Sequence, residues 1–148
     1  MARVAPRKNA NPEHKLQVQV RDYLMTALPP SIEWTANAAG VHVSIHTANK
    51  MKAAGVRRGW PDLQFLFPDG SVHFVELKTA TGSLSPEQRD FRDRCLRIRP
   101  PVDIWALCRS VEDVAAALAG WGAELREHIF FPEANEAARA AWKARMAA

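Results

Sequence analysis

The sequence predicts a single α/β domain whose mixed sheet is flanked by helices. Its length of 148 residues suits one domain. Hydrophobic residues make up 47% of the chain and charged residues 24%, so a core can form without disulfides or structural zinc. The predicted elements run helix, strand, helix, two strands, helix, strand and helix, which is an order typical of α/β domains.

Apolar residues at helical spacing, together with end signals, predict the helices. Asn11 is an N-cap with Pro12 at the first helical position, and Gly55 is a C-terminal cap. Ser85 and Gln88 form a capping box at the start of a later helix. The helices predicted in this way span residues 12–28, 44–54, 85–99 and 110–119.

Two strands form the clearest hairpin, at residues 62–67 and 72–78, joined by the turn Pro68-Asp69-Gly70. Alternation places apolar side chains on one face of both strands, and this face belongs against a core. Weaker strand signals lie at residues 32–35 and 102–107. Because helices separate these two strands from the hairpin along the chain, the sheet is expected to be mixed.

The hairpin register would gather charged side chains at one edge of the sheet. If Leu66 pairs with Val72, Asp62 lies directly opposite Glu76, and Lys78 shares the face of Glu76. Two carboxylates this close repel each other unless a proton or a cation intervenes, and oxygen ligands favour Mg²⁺ or Mn²⁺. Lys78 beside such an ion could orient water and offset charge on a phosphate. A surface strand with an acid–lysine pair is the simpler alternative.

Longer motifs surround these residues. Gly59-Trp60-Pro61-Asp62, then 13 residues, then Glu76-Leu77-Lys78 resemble the PD-(D/E)xK nuclease signature. Residues 55–63, 74–78 and 82–88 together resemble the VRR-NUC family, the virus-type replication and repair nucleases. The resemblance begins at Glu13 and fades after about Leu118. It implies a restriction-endonuclease-like core and a Mg²⁺-dependent endonuclease in which Mn²⁺ can replace Mg²⁺.

The resemblance also implies roles for individual residues. Asp62, Glu76 and the backbone carbonyl of Leu77 match metal ligands, and Lys78 matches the catalytic lysine. Glu13 on the first helix matches an acid that completes the catalytic and metal site. Taken without the resemblance, Glu13 is equally well explained as an acid that favours the helix dipole.

Further positions carry weaker predictions. Gln88 matches a catalytic glutamine of the family, although its capping box would explain it alone. Arg57 and Arg58 are candidate nucleic-acid contacts, with solvated loop charges as the alternative. Asn37 matches the family pattern loosely and is left out of the catalytic set. His42 and His46 are interpreted as ordinary polar residues, because no third ligand accompanies them.

Composition favours a polyanionic partner. The net charge is +4 with a pI near 9.4, and residues 1–99 hold 15 Lys and Arg against 9 Asp and Glu. Nucleic acid is the simplest such partner, and the resemblance implies DNA. The cysteines, Cys95 and Cys108, have no metal-ligand spacing and suggest free thiols in a reducing compartment. We therefore expect a cytoplasmic protein, in a bacterium or in the host cell of a phage. The most apolar run, residues 114–123, is too short to span a membrane.

The resemblance implies branched DNA as substrate, such as four-way junctions or flaps, in replication, recombination and repair. A DNA-binding module without catalysis and a sequence-specific restriction-type endonuclease remain as alternatives. The predicted organisation is a flexible basic arm at 1–12, a nuclease domain at 13–120 and an extension at 121–148. The extension is apolar and carries an Ala-rich helix from about Pro132, so it is expected to support a homodimer or to pack on its own domain.

Overall fold

The computed structural model describes residues 11–37, 43–98 and 103–126. Within these residues the elements follow the predicted order, with β1 and β4 placed slightly later in the chain than predicted. The helices are α1 (Pro12–Ala27), α2 (Ile45–Ala53), α3 (Pro86–Ile98) and α4 (Val111–Gly120), and the strands are β1 (Glu33–Ala36), β2 (Leu63–Leu66), β3 (Val72–Leu77) and β4 (Trp105–Cys108).

The strands form a four-stranded mixed sheet in the order β1-β2-β3-β4. The β1–β2 and β2–β3 pairs are antiparallel, and β3 pairs with β4 in parallel. Leu66 faces Val72 and Gln64 faces Phe74, which is the register that the sequence predicts. The α/β fold with a mixed sheet flanked by helices is therefore confirmed.

One face of the sheet carries the main core. Leu63, Phe65, Val75 and Leu77 alternate with polar positions along the hairpin, and all four are at most 1% exposed. The buried stripe of α1 and the apolar side of α4 pack on this face. The buried residues of these two helices are Val20, Tyr23, Leu24, Ala27, Val114, Ala115 and Leu118.

The opposite face carries a smaller, aromatic core. Phe74 and Cys95 are buried there, and α3 contributes Phe91. Trp60 lies edge-on to both phenyl rings, with ring centroids 5.8 Å from Phe74 and 4.8 Å from Phe91. These contacts attach the segment before Asp62 to β3 and α3, because aromatic pairs at such distances add to the burial of their surface.

The described chain stays packed after α4. Ala123 is buried, the indole N–H of Trp121 donates to the carbonyl of Asp103, and the N–H of Arg126 donates to the carbonyl of Ala27. The packed body thus continues past the predicted boundary at Gly120. Of the predicted arm at 1–12, Asn11 and Pro12 begin α1 and residues 1–10 lie outside the described residues. The tail from residue 127, with its predicted helix, also lies outside them.

Two further expectations concern cysteines and membranes. Both cysteines are free and buried, and burial raises the pKa of the Cys108 thiol to about 12. The described ranges contain no helix that is long and apolar enough to cross a membrane.

Gly59 fixes the segment that leads to Asp62 against the start of α3. Its φ is +81°, a conformation that favours glycine. A methyl group built on Gly59 would lie 2.6 Å from the carbonyl carbon and oxygen of Glu87. Gly55 has a φ of +99°, but a methyl group there would meet nothing within 4 Å.

Gly55 and Gly59 therefore predict two different losses of stability for the same substitution by alanine. Gly55→Ala should lower the free energy of unfolding by about 1–2 kcal/mol through backbone strain alone. Gly59→Ala should lower it by a further 1–3 kcal/mol or so, because the new methyl group overlaps the backbone of α3. Urea titrations of both variants measure the difference. Equal losses would show that the contact between Gly59 and Glu87 is not tight.

Candidate active site

The site lies where the β2–β3 ladder ends. In each hydrogen-bonded pair of this ladder, the backbone N–H of either residue donates to the backbone carbonyl of the other. The next such pair along the ladder would be Pro61 and Leu77. The N–H of Leu77 donates instead to Oδ2 of Asp62, at 2.7 Å. Pro61 has no N–H, so it cannot donate to the carbonyl of Leu77. The paired position of the ladder therefore supplies no donor to this carbonyl.

Asn37, at the end of β1, holds the same segment from the other side. Its amide Nδ2 donates to the carbonyl of Pro61 at 2.8 Å, and its backbone N–H donates to the carbonyl of Asp62 at 2.8 Å. These two bonds fix the two peptide groups that flank Asp62. Asn37 is thus a positioning residue that the sequence interpretation left out of the site.

Glu76 is the most buried charged residue of the described chain, with 1% of its surface exposed. The side-chain amide of Gln88 donates to its Oε1 at 2.7 Å. The carboxyl group of Asp62 lies close enough for its negative charge to raise the pKa of Glu76. The hairpin register therefore brings the two predicted carboxyl groups together.

Lys78 follows β3 directly and lies between two carboxyl groups. Its Nζ is 3.8 Å from Oε1 of Glu76 and 3.6 Å from Oε1 of Glu13. The exposed fraction of the side chain is 11% for Lys78 and 38% for Glu13. Glu13 reaches this position because it lies in the first turn of α1, which packs across the core face of the sheet.

Gln88 joins helix capping to the site. Its Oε1 accepts from the N–H of Ser85 at 2.8 Å, and its own N–H donates to Oγ of Ser85 at 3.2 Å. This is the reciprocal capping box that the sequence predicts. Because the amide nitrogen of the same side chain donates to Glu76, the start of α3 and the carboxyl pair belong to one hydrogen-bonded unit.

These residues are also where the chain is similar to known proteins. The family model for the VRR-NUC domain matches residues 33–112, and this range includes the whole hairpin and Gln88. The chain belongs to the VRR-NUC domain family. A solved structure described as a VRR_NUC domain is 20% identical, with a TM-score of 0.47, over 75% of this chain and 97% of that chain. No curated protein matches.

The family assignment makes this a nuclease-type domain. Glu13, the predicted acid on the first helix, lies outside the matched range. Glu13 precedes residue 33, yet its contact with Lys78 ties it to the matched part of the VRR-NUC domain. Arg57 and Arg58 lie within the match, in the exposed segment between α2 and β2. His46 is exposed on α2, whereas His42 falls outside the described residues.

Arg109 is a second residue that sequence reasoning missed. Its guanidinium donates to the carbonyls of Thr79, at 2.5 Å, and Gly82, at 2.7 Å. These bonds clamp the turn that follows Lys78 and so restrict where the lysine can lie. A lone arginine after a strand carries no sequence signal for such a contact, because its acceptors are backbone groups about 30 residues away.

Burial governs the protonation of the carboxyl pair. Removal from water, followed by the charge of Asp62, raises the pKa of Glu76 from 4.5 to about 9. Burial also raises the pKa of Asp62 above its usual value, although the bond from Leu77 acts in the opposite direction. A divalent cation on the pair would reverse this balance by stabilising both charged forms.

The donors of the site suit a hard cation. Asp62, Glu76 and the carbonyl of Leu77 offer only oxygen atoms, as Mg²⁺ and Mn²⁺ prefer. Within the described ranges no three His, Cys, Asp or Glu side chains group together as a metal site, so a backbone oxygen would be the third protein ligand. Glu13 contacts Lys78, and its role as a ligand stays a prediction.

The raised pKa of Glu76 predicts a pH-dependent stability in protein freed of divalent metal by EDTA. The folded chain retains a proton on Glu76 up to a pKa of about 9, whereas the unfolded chain releases it near 4.5. Stability from this group is therefore complete below the lower value and is lost as the pH rises through the higher one. We expect the melting temperature to fall across this window and the fall to be smaller in Glu76→Gln.

The matched control is Glu124→Gln, which changes an exposed acid. Its melting temperatures should follow those of the unmodified protein at every pH. If Glu76→Gln shows the same dependence as the unmodified protein, Glu76 does not hold its proton through the neutral range.

Proposed function

We propose that this VRR-NUC domain is a Mg²⁺-dependent endodeoxyribonuclease that hydrolyses phosphodiester bonds in branched DNA. The observation that carries the proposal is the buried carboxyl pair of Asp62 and Glu76 beside Lys78. Mn²⁺ is expected to replace Mg²⁺, because both ions are hard and accept oxygen ligands.

The carboxyl pair is hard to explain as a structural feature. Burying Glu76 at 1% exposure beside a second acid disfavours ionisation, and apolar side chains of similar volume would pack there without that cost. Strongly perturbed carboxyl groups with specific partners are typical of catalytic sites. The pair also lies at a strand end, next to a lysine, where a phosphate could approach.

Each residue would have a distinct role. Asp62, Glu76 and the carbonyl of Leu77 would hold the cation, which would polarise the scissile phosphate and make water a better nucleophile. Lys78 would orient the attacking water and donate hydrogen bonds to the phosphate as negative charge builds up. Glu13 and Gln88 would keep Lys78 and Glu76 in place. Water oxygen would bond to phosphorus while the bond to the 3′ oxygen breaks, leaving a 5′-phosphate and a 3′-hydroxyl.

A panel of linear, flap, splayed and four-way DNA substrates tests the proposal. We expect cleavage that requires Mg²⁺, follows DNA shape rather than sequence, and falls at least about 100-fold in Asp62→Asn. The amide of the variant can still accept the bond from Leu77, so the fold is retained. DNA binding in EDTA should be equal or tighter, because a negative charge near phosphate is removed. Unchanged cleavage by Asp62→Asn would overturn the site assignment.

We also propose that the enzyme acts as a homodimer. One centre cuts one strand per engagement, whereas a four-way junction needs two symmetric cuts, which a two-fold dimer would provide. Residues 127–148 include the aromatic side chains Phe130, Phe131 and Trp142. An apolar sequence of this kind favours burial against a partner copy or the chain's own domain.

The homodimer is tested by light scattering on the full chain and on a truncation after Arg126. The truncation keeps the packed residues of the described body, including buried Ala123 and the Arg126 bond to α1. We expect the full chain to be dimeric and the truncation to be monomeric with the same melting temperature. A monomeric full chain that cuts both strands of a four-way junction would contradict the proposal.

A further inference from the structure

The region between β1 and β2 contains a basic surface outside the carboxyl cluster, which includes the candidate nucleic-acid contacts Arg57 and Arg58. Residues 43–58 carry Lys50, Lys52, Arg57 and Arg58 and no acidic residue, so this short segment holds a charge equal to the net +4 of the whole chain. All four cationic residues are exposed. No residue of α2 is buried.

Packing against the core does not explain why α2 forms. At nine residues α2 is too short to be stable alone in water, and it buries no apolar stripe. Its main local supports are the Ser44 side chain, which accepts from the N–H of Thr47, and the turn at Gly55. An exposed helix with these properties is best placed to serve as a contact surface.

The faces of α2 are distinct. Met51 is the least exposed residue of the helix, so its side faces the body of the protein. Each residue turns the helix by about 100°, so Lys50 and Lys52 project about 200° apart, one on each flank of the outward face. Asn49 and Ala53 lie between them on that face. Apart from Ile45 in the first turn, which is 83% exposed, the outward residues of the helix are small or polar. With a lysine on either flank, this helix can approach closely between two lines of negative charge.

We propose that α2 docks on double-stranded DNA, with Lys50 and Lys52 contacting phosphates on either side of the helix. Segment 43–58 contains no Phe, Tyr or Trp, so it offers no stacking platform for single-stranded bases. Cations without such a platform bind the phosphate backbone and do so independently of sequence. This inference rests on the proposed function, because DNA is the polyanion that the site would cut.

The connection to the site supports this assignment. The chain runs from α2 through Arg57 and Arg58 to Gly59, which is seated on the backbone of Glu87, and then to Asp62. Docking of α2 would therefore hold a duplex arm beside the carboxyl pair through a segment that is fixed at one end. DNA binding and cleavage would be carried out by different residues.

The salt dependence of duplex binding tests the inference. In EDTA, which prevents cleavage, the dissociation constant of a fluorescent duplex is measured across a range of NaCl concentrations for Lys50→Gln, Lys52→Gln and the double variant. Each lost phosphate contact should lower the slope of log K against log salt by about 0.9, and the double variant should lower it by about 1.8. Affinity at fixed salt should fall several-fold in each single variant.

Arg97→Gln is the matched control, since Arg97 is an exposed cation in the last turn of α3 as Lys52 is in the last turn of α2. Its slope should not change. Unchanged slopes in both lysine variants would overturn the inference, as would an equal change in Arg97→Gln, which would reflect net charge alone. Mg²⁺-dependent cleavage by the unmodified protein is scored separately, so loss of the proposed function is recognised whatever the slopes are.

Discussion

The absence of one backbone N–H, at Pro61, is the constraint on which the site depends. An ordinary residue there would exchange two bonds with Leu77 and extend the hairpin by a further pair. With Pro61, the N–H of Leu77 bonds to the Asp62 carboxylate and its carbonyl lacks a ladder donor. The carbonyl of Pro61, released from the ladder, accepts from Asn37 instead. Pro61, Asp62 and Asn37 together thus turn the end of a strand pair into a cluster of oriented oxygen atoms.

Glu76 is held by contacts that come from different parts of the fold. The capping box of α3 supplies Gln88, the strand end supplies Lys78, and the ladder end supplies Asp62. Because these contacts also fix helix and strand ends, the site is rigid for the same reasons that the fold is. Holding two carboxyl groups this close has an electrostatic cost. When both are ionised, Lys78 is the one cation among the described side chains that compensates them.

The sequence predicted the local part of this arrangement and missed the distant part. The turn at Pro68-Asp69-Gly70 and the alternation of the strands fix the hairpin register, so the meeting of Asp62 and Glu76 could be predicted. Gln88 could be predicted because the capping box is a short-range pattern. Asn37 and Arg109 could not, since each bonds to backbone carbonyls far along the chain and such acceptors leave no residue pattern. The Glu13 contact required the family resemblance, because its position in a helix also suits the dipole.

Charge links metal binding to DNA binding in the proposed enzyme. With Asp62, Glu76 and Glu13 ionised, Lys78 alone would leave the site negative, and a phosphate would be repelled. A cation on the carboxyl pair removes this repulsion, so it should raise the affinity for DNA, and by linkage DNA should raise the affinity for the cation equally. Lys50, Lys52, Arg57 and Arg58 avoid this dependence, because they are exposed and lie outside the carboxyl cluster. In the proposed enzyme they would attract DNA before a cation neutralises the site, and the carboxyl pair would then govern whether the bound strand is cut.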